Sequence, residues 1–163
     1  MKKHITGSLK FFAAMLLIFF VSGVSAQMKS YSWASYKMKF KVPENFKVDE
    51  ATGTKWIGHN STITLSIYPR KNDQVSQSDL KTALYNWTVE NGVKNIDEGT
   101  EIDPQKLNRY EGFLYEGKTD DFSVETLLIS DPDYPGIVFY ICIHYKPGSE
   151  ADVLKIVTSF TPV

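Results

Sequence analysis

Cysteine is nearly absent from this sequence: Cys142 is the single one among 163 residues. An intrachain disulfide is therefore excluded, and the fold must be stabilised by its core. Cys142 precedes His144 by two positions in the stretch IVFYICIHYKPG. Because a thiolate nucleophile needs an imidazole within hydrogen-bonding distance, this pair raises the alternative of a cysteine-dependent hydrolase.

The residues around Cys142 favour a structural role instead. In 137–145, apolar side chains occupy both sets of alternating positions, and a strand that is apolar on both faces is covered on both faces. Burial in such surroundings raises the pKa of a thiol and leaves it unreactive. We therefore expect Cys142 to pack as a small hydrophobic residue, His144 to lie near the strand end, and no catalytic residue to be present.

Other signatures of chemistry are also missing. Neither a G-x-S-x-G nucleophile motif nor a phosphate-binding G-x-x-x-x-G-K-[ST] loop occurs. Three histidines and one cysteine give a transition metal few ligands, so we predict no metal and no cofactor. The aspartates of 120–121 and 131–133 leave a calcium site open, although solvated turns, where aspartate is common, are the favoured interpretation.

A strong charge of either sign is missing too. The chain has 18 basic and 19 acidic residues, which give a formal net charge of −1. This balance does not provide the extended basic surface that nucleic acid binding requires. We therefore predict that no nucleic acid is bound and that the partner is a protein or a small ligand.

Long hydrophobic runs are also absent. The longest uncharged apolar run, Phe11–Val21, has eleven residues, whereas a membrane-spanning helix needs about 20. Lysines precede the run and the small residues VSA follow it, a pattern typical of a secretory signal peptide. We predict a signal peptide over 1–26 with cleavage between Ala26 and Gln27; the alternative is an N-terminal anchor that is never cut.

The mature chain is predicted to be one α+β domain over 27–163, located in the periplasm or the extracellular space without a stable membrane anchor. Strands cluster instead of alternating with helices, which favours a mostly antiparallel sheet with helices packed on it, an α/β/α-type sandwich. The helices either lie on opposite faces or share one face while the N-terminal segment covers the other. The predicted strands are 36–42, 54–60, 62–68, 93–102, 108–119, 121–130 and 137–145, and the predicted helices are 78–91 and 150–160.

Two groups of residues are candidates for a ligand or partner surface. Lys37, Lys39 and Lys41 form a basic row on one face of the first predicted strand. Such a row can bind an anionic ligand or partner, but lysines also protect an edge strand from pairing with another sheet, and we favour this second role. Trp33 and Trp56 are flanked by polar residues, so they either line a binding surface or act as lids on the core.

Short motifs towards both ends of the chain resemble the PsbP-like superfamily, in particular its DcrB-type periplasmic domains. The motifs are VPENF at 42–46 and IVTSFTP at 156–162, together with a meandering sheet that one helix interrupts. The resemblance covers nearly all of 30–163, and it implies an α/β/α sandwich with a non-enzymatic accessory or binding role and no catalytic residues. DcrB-type members are commonly lipid-anchored, whereas no cysteine directly follows the apolar run of this chain.

These observations predict an exported, non-catalytic accessory or binding protein of the cell envelope or extracellular space. Its partner is expected to be another envelope or secreted protein, or a small ligand, and its oligomeric state stays open. Two alternatives remain. One is the hydrolase that would use Cys142 and His144, and the other is a small-molecule carrier with an aromatic cleft.

Overall fold

The computed structural model of the protein describes residues 26–71, 79–131 and 133–163. The predicted signal peptide lies outside the described residues except for its last residue, and so does the start of the first predicted helix. Ala26 and Gln27, which flank the predicted cleavage site, begin the described chain. Within these ranges, no helix combines the length and the apolar character needed to cross a membrane.

Ten strands, two α-helices and one short 3₁₀-helix form within the described residues. The strands are β1 Met28–Trp33, β2 Met38–Pro43, β3 Lys47–Ala51, β4 Trp56–His59, β5 Ile63–Lys71, β6 Thr100–Ile102, β7 Glu111–Lys118, β8 Ser123–Ser130, β9 Ile137–Tyr145 and β10 Thr161–Pro162. The helices are α1 Leu80–Glu90 and α2 Glu150–Val157, and the 3₁₀-helix is Ala34–Tyr36.

The described strands form two sheets. The large sheet has seven strands in the order β3-β4-β5-β9-β8-β7-β6, and the small sheet has three in the order β1-β2-β10. Neighbouring strands run antiparallel in both sheets. The predicted α+β class with a mostly antiparallel sheet is therefore confirmed.

The two faces of the large sheet are covered by different elements. On one face, Leu84 of α1 packs in one cluster with Leu128 and Val138 of the sheet. The opposite face is covered by α2 and the small sheet, and there Phe40 of β2 shares a core with Ile141 of β9. Both faces of β9 are covered, as its two apolar faces predict, and the two helices lie on opposite faces.

One buried polar contact joins α1 to the large sheet. The hydroxyl of Thr88 donates to the carbonyl oxygen of Leu84 (2.8 Å), and it lies 2.7 Å from the hydroxyl of Thr126. Both threonines are fully buried. Since an unsatisfied hydroxyl is costly in the interior, this contact lets the helix lie directly on the sheet.

The predicted lysine row is only partly a strand feature. Lys37 lies outside β2 because its φ of 48° is in the left-handed region, where it ends the 3₁₀-helix. Lys39 and Lys41 are strand residues, but β2 lies between β1 and β10. The expectation that these lysines protect an edge strand is therefore wrong.

Two other element boundaries differ from the sequence prediction. Pro69, which follows the predicted strand 62–68, continues β5. Among the described residues β4 pairs with β5 only as far as Ile67, so the missing N–H of the proline interrupts no pairing with β4. The weak strand predicted over 93–102 shrinks to β6, because Asn95 and Gly99 have positive φ values and bend the chain.

Candidate functional site

The Cys142–His144 pair lies on the face of the large sheet that α1 covers. The Cys142 Sγ and the His144 Nδ1 are 3.6 Å apart, so the two side chains do meet. However, Cys142 is only 4% exposed, and burial raises the pKa of its thiol to about 12 and lowers the pKa of the His144 imidazole. Both groups are therefore neutral near physiological pH, and the pair lacks the thiolate that a hydrolase needs.

The aspartates considered for calcium have other partners. Asp120 pairs with Lys94 (2.9 Å), whose ammonium lowers the pKa of the carboxyl, and Asp131 accepts a hydrogen bond from the backbone N–H of Asp133 (3.0 Å). Within the ranges that the structure describes, no three His, Cys, Asp or Glu side chains converge as metal ligands. Asp120 and Asp131 therefore both contact other groups of the chain.

The two tryptophans considered for a binding surface lie in the core. Trp56 is fully buried and Trp33 is 5% exposed. The Trp56 ring packs against Phe40 (4.9 Å between centroids) and Tyr31 (5.1 Å), both from the small sheet. Because the small sheet closes over this part of the large sheet, neither tryptophan presents a surface to a ligand or partner.

A concave apolar site opens beside the small sheet. It has a volume of about 140 Å³ and lies where the 3₁₀-helix meets the turn between β8 and β9. Half of its lining residues are aromatic, and residues of both charges contribute to it. The residues that define this aromatic cleft are Tyr36, Lys37, Tyr110, Asp131, Tyr134 and Phe139.

Edge-to-face ring contacts hold the walls of the aromatic cleft in place. The centroid of Phe139 lies 5.7 Å from that of Tyr36 and 6.4 Å from that of Tyr110. Trp33 packs against Tyr36 at 4.7 Å, and the hydroxyl of Tyr36 donates to the carbonyl oxygen of Gly53. Since these contacts fix the orientation of the rings, the cleft is formed before any ligand arrives.

The most buried residues of the aromatic cleft include two polar ones. Tyr110 is 1% exposed and Asp131 is 7% exposed. Burial, together with the nearby negative charge of Asp131, raises the pKa of Tyr110, so its hydroxyl keeps its proton. A few polar groups within an apolar wall are the arrangement that orients a bound group in a pocket.

The rim of the aromatic cleft carries charges of both signs. The Lys37 Nζ lies 3.1 Å from the hydroxyl oxygen of Tyr134 and 4.9 Å from the centre of its ring. Outside the lining, Arg109 and Asp133, which directly precede Tyr110 and Tyr134, pair at 3.0 Å. Tyr134 is 54% exposed and stands at the mouth. Exposed contacts of this kind are worth about 1 kcal/mol or less, so the rim can rearrange around a partner.

Backbone strain is concentrated next to the aromatic cleft. Lys37, Asn108 and Arg109 have φ values of 48°, 50° and 81°, which residues other than glycine rarely adopt. The Val163 N–H donates to the carbonyl oxygen of Lys37 (2.7 Å), and the Asn108 amide donates to that of Phe160 (2.9 Å). Conformations of this kind persist where surrounding contacts enforce them, which is common at functional sites.

The structure divides the lysine row between two places. Lys37 belongs to the rim of the aromatic cleft. Lys39 and Lys41 are exposed on the outer face of the small sheet. A binding role for these lysines stays a prediction, and it now concerns two adjacent surfaces instead of one.

Sequence reasoning missed the tyrosines of the aromatic cleft. Tyr36, Tyr110 and Tyr134 come from three segments that are distant along the chain, and a turn, a strained backbone and a second turn bring them together. The available signal was the stretch DPDYPG at 131–136, where a tyrosine stands in a turn between two prolines. An aromatic residue in such a turn is exposed, and exposed aromatic residues are enriched at interfaces.

Comparison with known proteins gives structural matches. No protein-family model matches the chain, and neither does any curated protein sequence. The crystal structure of the Ran-binding protein Mog1p from Saccharomyces cerevisiae matches with a TM-score of 0.59 and 13% identity, over 85% of this chain and 97% of that one. A glutamate-to-alanine variant of protein Mog1 matches with a TM-score of 0.57 and 11% identity, over 84% and 96%. A structure from Bacteroides thetaiotaomicron has a TM-score of 0.48 and 12% identity over 85% of this chain and 49% of that one, a score too low to indicate a shared fold.

Two predictions are wrong in the light of these matches. The DcrB-type assignment has no family model behind it, and the structures that share the fold are Mog1 proteins. The motifs behind that assignment are a turn after a strand and the end of a helix, and such local features do not distinguish between families that share a fold. The periplasmic or extracellular location is also overturned, because matches to a Ran-binding protein point away from export.

Proposed function

We propose that this protein is a non-catalytic protein-binding module and that its aromatic cleft takes one apolar side chain of the partner. The observation that carries the proposal is the cleft itself: fixed aromatic walls, a charged rim and an exposed tyrosine at the mouth. Anchor side chains that fill such pockets supply most of the binding energy at protein interfaces. The cleft therefore provides the anchoring site, and the surrounding surface provides the rest of the contact.

The size of the aromatic cleft favours a side chain over a small-molecule ligand. Its volume is about 140 Å³, whereas small-molecule sites typically have about 300–1,000 Å³. An apolar cavity of roughly 150 Å³ accommodates one benzene-sized group. The carrier alternative therefore fits this site less well than an anchor residue of a protein.

The shared fold supports binding as the kind of activity. Mog1p is described as a Ran-binding protein, so a chain with this fold can act through a protein partner. Ran itself is not carried over as the partner, because the likeness is one of fold. We further propose that 27–163 form a single domain, since the small sheet, the large sheet and α2 share one hydrophobic core.

The proposal is tested by selecting peptides from a phage-displayed library of random dodecapeptides against the protein. We expect the enriched peptides to share an apolar or aromatic residue. Their affinity is then measured by fluorescence anisotropy for the wild type and for Tyr134→Ala, which removes the ring at the mouth of the aromatic cleft. Loss of an anchoring contact of this kind weakens binding by about tenfold or more.

Tyr85→Ala is the matched control, because Tyr85 is 44% exposed, close to the 54% of Tyr134, but lies on α1 at the opposite side of the large sheet. We expect its affinity for the peptides to stay within about twofold of the wild type. Peptides that bind Tyr134→Ala as tightly as the wild type, or that lose affinity with Tyr85→Ala instead, would contradict the proposal.

A further inference from the structure

We propose that the outer face of the small sheet binds an acidic, extended segment of the partner protein. This inference rests on the proposed binding function and adds the chemistry of a second contact. The face is next to the aromatic cleft, since Lys37 at the rim of the cleft directly precedes β2. We name it the lysine–hydroxyl face, and its residues are Ser30, Ser32, Lys39, Lys41 and Thr161.

The register of the small sheet places these five side chains together. Lys39 stands opposite Ser32 of β1 and Thr161 of β10, and Lys41 stands opposite Ser30. The residues that alternate with the lysines on β2 are buried in the core, while both lysines are exposed. Because successive side chains of a strand point to opposite faces, the two ammonium groups point away from the core into solvent.

Protection of a sheet edge does not explain these lysines. β2 is the central strand of the small sheet: β1 pairs with its whole length on one side, and β10 pairs with Met38 and Lys39 on the other. Beyond the short β10, the backbone N–H of Lys41 donates to the hydroxyl of Ser159 (2.7 Å). The usual structural reason for lysines on a strand is therefore missing here.

The positive charge of the lysine–hydroxyl face is not neutralised locally. Among the ion pairs of the described residues, none includes Lys39 or Lys41. A groove of about 520 Å³ borders the face, and Lys41 and Lys155 are its charged lining residues, beside neutral hydroxyl, amide and thioether side chains. The nearest acid to Lys155 in the ion pairs is Asp152, at 3.8 Å. Because this acid offsets Lys155, the excess positive charge that faces a partner comes from Lys39 and Lys41.

The spacing of the two lysines fits an extended acidic segment. Side chains two positions apart on a strand are about 6.5–7 Å apart. An extended peptide with acidic residues at alternate positions repeats at the same distance, so successive carboxylates can meet Lys39 and Lys41 while the serine and threonine hydroxyls donate to the remaining oxygens. Nucleic acid fits less well, because two lysines give a short row on a chain whose formal net charge is −1.

The test uses an alternating Glu-Ser dodecapeptide as the probe and a Gln-Ser dodecapeptide as its uncharged counterpart. Binding to the full-length protein is measured by fluorescence anisotropy at low salt and at about 150 mM NaCl, where exposed ion pairs are partly screened. We expect the acidic peptide to bind more tightly than the neutral one and to weaken with salt. Lys39→Gln combined with Lys41→Gln should reduce its affinity by about fivefold or more, since both ion pairs with the peptide are lost.

The matched control combines Lys81→Gln with Lys118→Gln, two exposed lysines away from the small sheet, and it should leave the affinity within about twofold. Equal loss in both double variants, equal binding of the two peptides, or equally tight binding of a single-stranded DNA oligonucleotide would overturn the inference. Failure of the acidic peptide while selected apolar peptides still need Tyr134 would therefore reject this inference and leave the proposed function standing.

Discussion

The two faces of the large sheet are both built from apolar side chains, but they differ in their access to solvent. Where α1 covers the sheet, a thiol and an imidazole come within 3.6 Å of each other in a buried, neutral environment. On the opposite face, the aromatic core under the small sheet continues to an open cleft. Access to solvent, more than the reactivity of a residue type, therefore separates a functional candidate from a packed core.

The largest effect is expected for the thiol on the α1 side. Burial raises the pKa of Cys142 to about 12, so the native protein should hold roughly a thousandfold less thiolate near neutral pH than the unfolded chain. We expect a chromogenic thiol reagent to label Cys142 at least that much more slowly in the native protein than in urea. Native labelling within about tenfold of the unfolded rate would show that the pair is accessible and would reopen the hydrolase alternative.

A second prediction compares one tryptophan from each face. Trp56 is fully buried among aromatic rings, whereas Trp87 on α1 is only partly buried. Trp56→Ala should reduce the free energy of unfolding by about 3–5 kcal/mol, and Trp87→Ala by about 2 kcal/mol, because less apolar area is lost.

Urea unfolding followed by circular dichroism measures both values, and Trp56→Phe provides a milder variant if Trp56→Ala does not fold. Equal losses at the two positions, or a larger loss at Trp87, would show that the aromatic core under the small sheet is not the better-packed side.

A third prediction concerns a carboxyl on the side of the large sheet that faces α2. Glu125 of β8 stands opposite Glu116 of β7, and burial, then the like charge of Glu116, raises the pKa of Glu125 to about 7. The folded protein thus keeps a proton that the unfolded chain releases near the ordinary value of 4.5. Stability from this group is fully present below that value, falls as the pH rises to about 7, and is level above it.

Glu125→Gln should therefore increase the free energy of unfolding by on the order of 1–3 kcal/mol near pH 8 and by much less near pH 4. Glu116→Gln removes only the smaller of the two causes, so its gain near pH 8 should be smaller. Urea unfolding at both pH values measures these differences. If the free energy of unfolding changed between the two pH values by the same amount in Glu125→Gln and in the wild type, the raised pKa would be contradicted.

The smallest effect on stability is expected at the mouth of the aromatic cleft. Tyr134→Ala removes an exposed ring and its contact with Lys37, and it should reduce the free energy of unfolding by about 0.5 kcal/mol. Tyr85→Ala on the α1 side should cost a similar amount. A loss above roughly 2 kcal/mol for Tyr134→Ala would mean that the mouth is part of the core, and its effect on binding could not then be assigned to the cleft.

Much of the fold could be predicted from the sequence because the spacing of apolar residues along the chain indicates which side chains are buried. The two apolar faces of 137–145 predicted a covered central strand, and the apolar spacing of 78–91 predicted the helix on one of its faces. The edge assignment of β2 failed because the partner strand β10 has only two residues and no alternating pattern to detect.

The aromatic cleft could not be predicted because it depends on backbone conformations that propensity does not encode. Lys37 and Arg109 take positive φ values that tertiary contacts enforce. If the backbone did not bend at these positions, Tyr36 and Tyr110 would be ordinary core or strand residues. Trp33 was named as a surface candidate and instead packs directly behind the cleft, against Tyr36.

The most direct test of a binding surface at the aromatic cleft is a titration of the isotope-labelled protein with the tightest selected dodecapeptide, followed by backbone amide NMR. We expect the largest chemical-shift changes at Tyr36, Tyr110 and Tyr134 and along β2, and no change in α1. Changes centred on Tyr85 and Val89 of α1, with none at the cleft, would contradict this expectation.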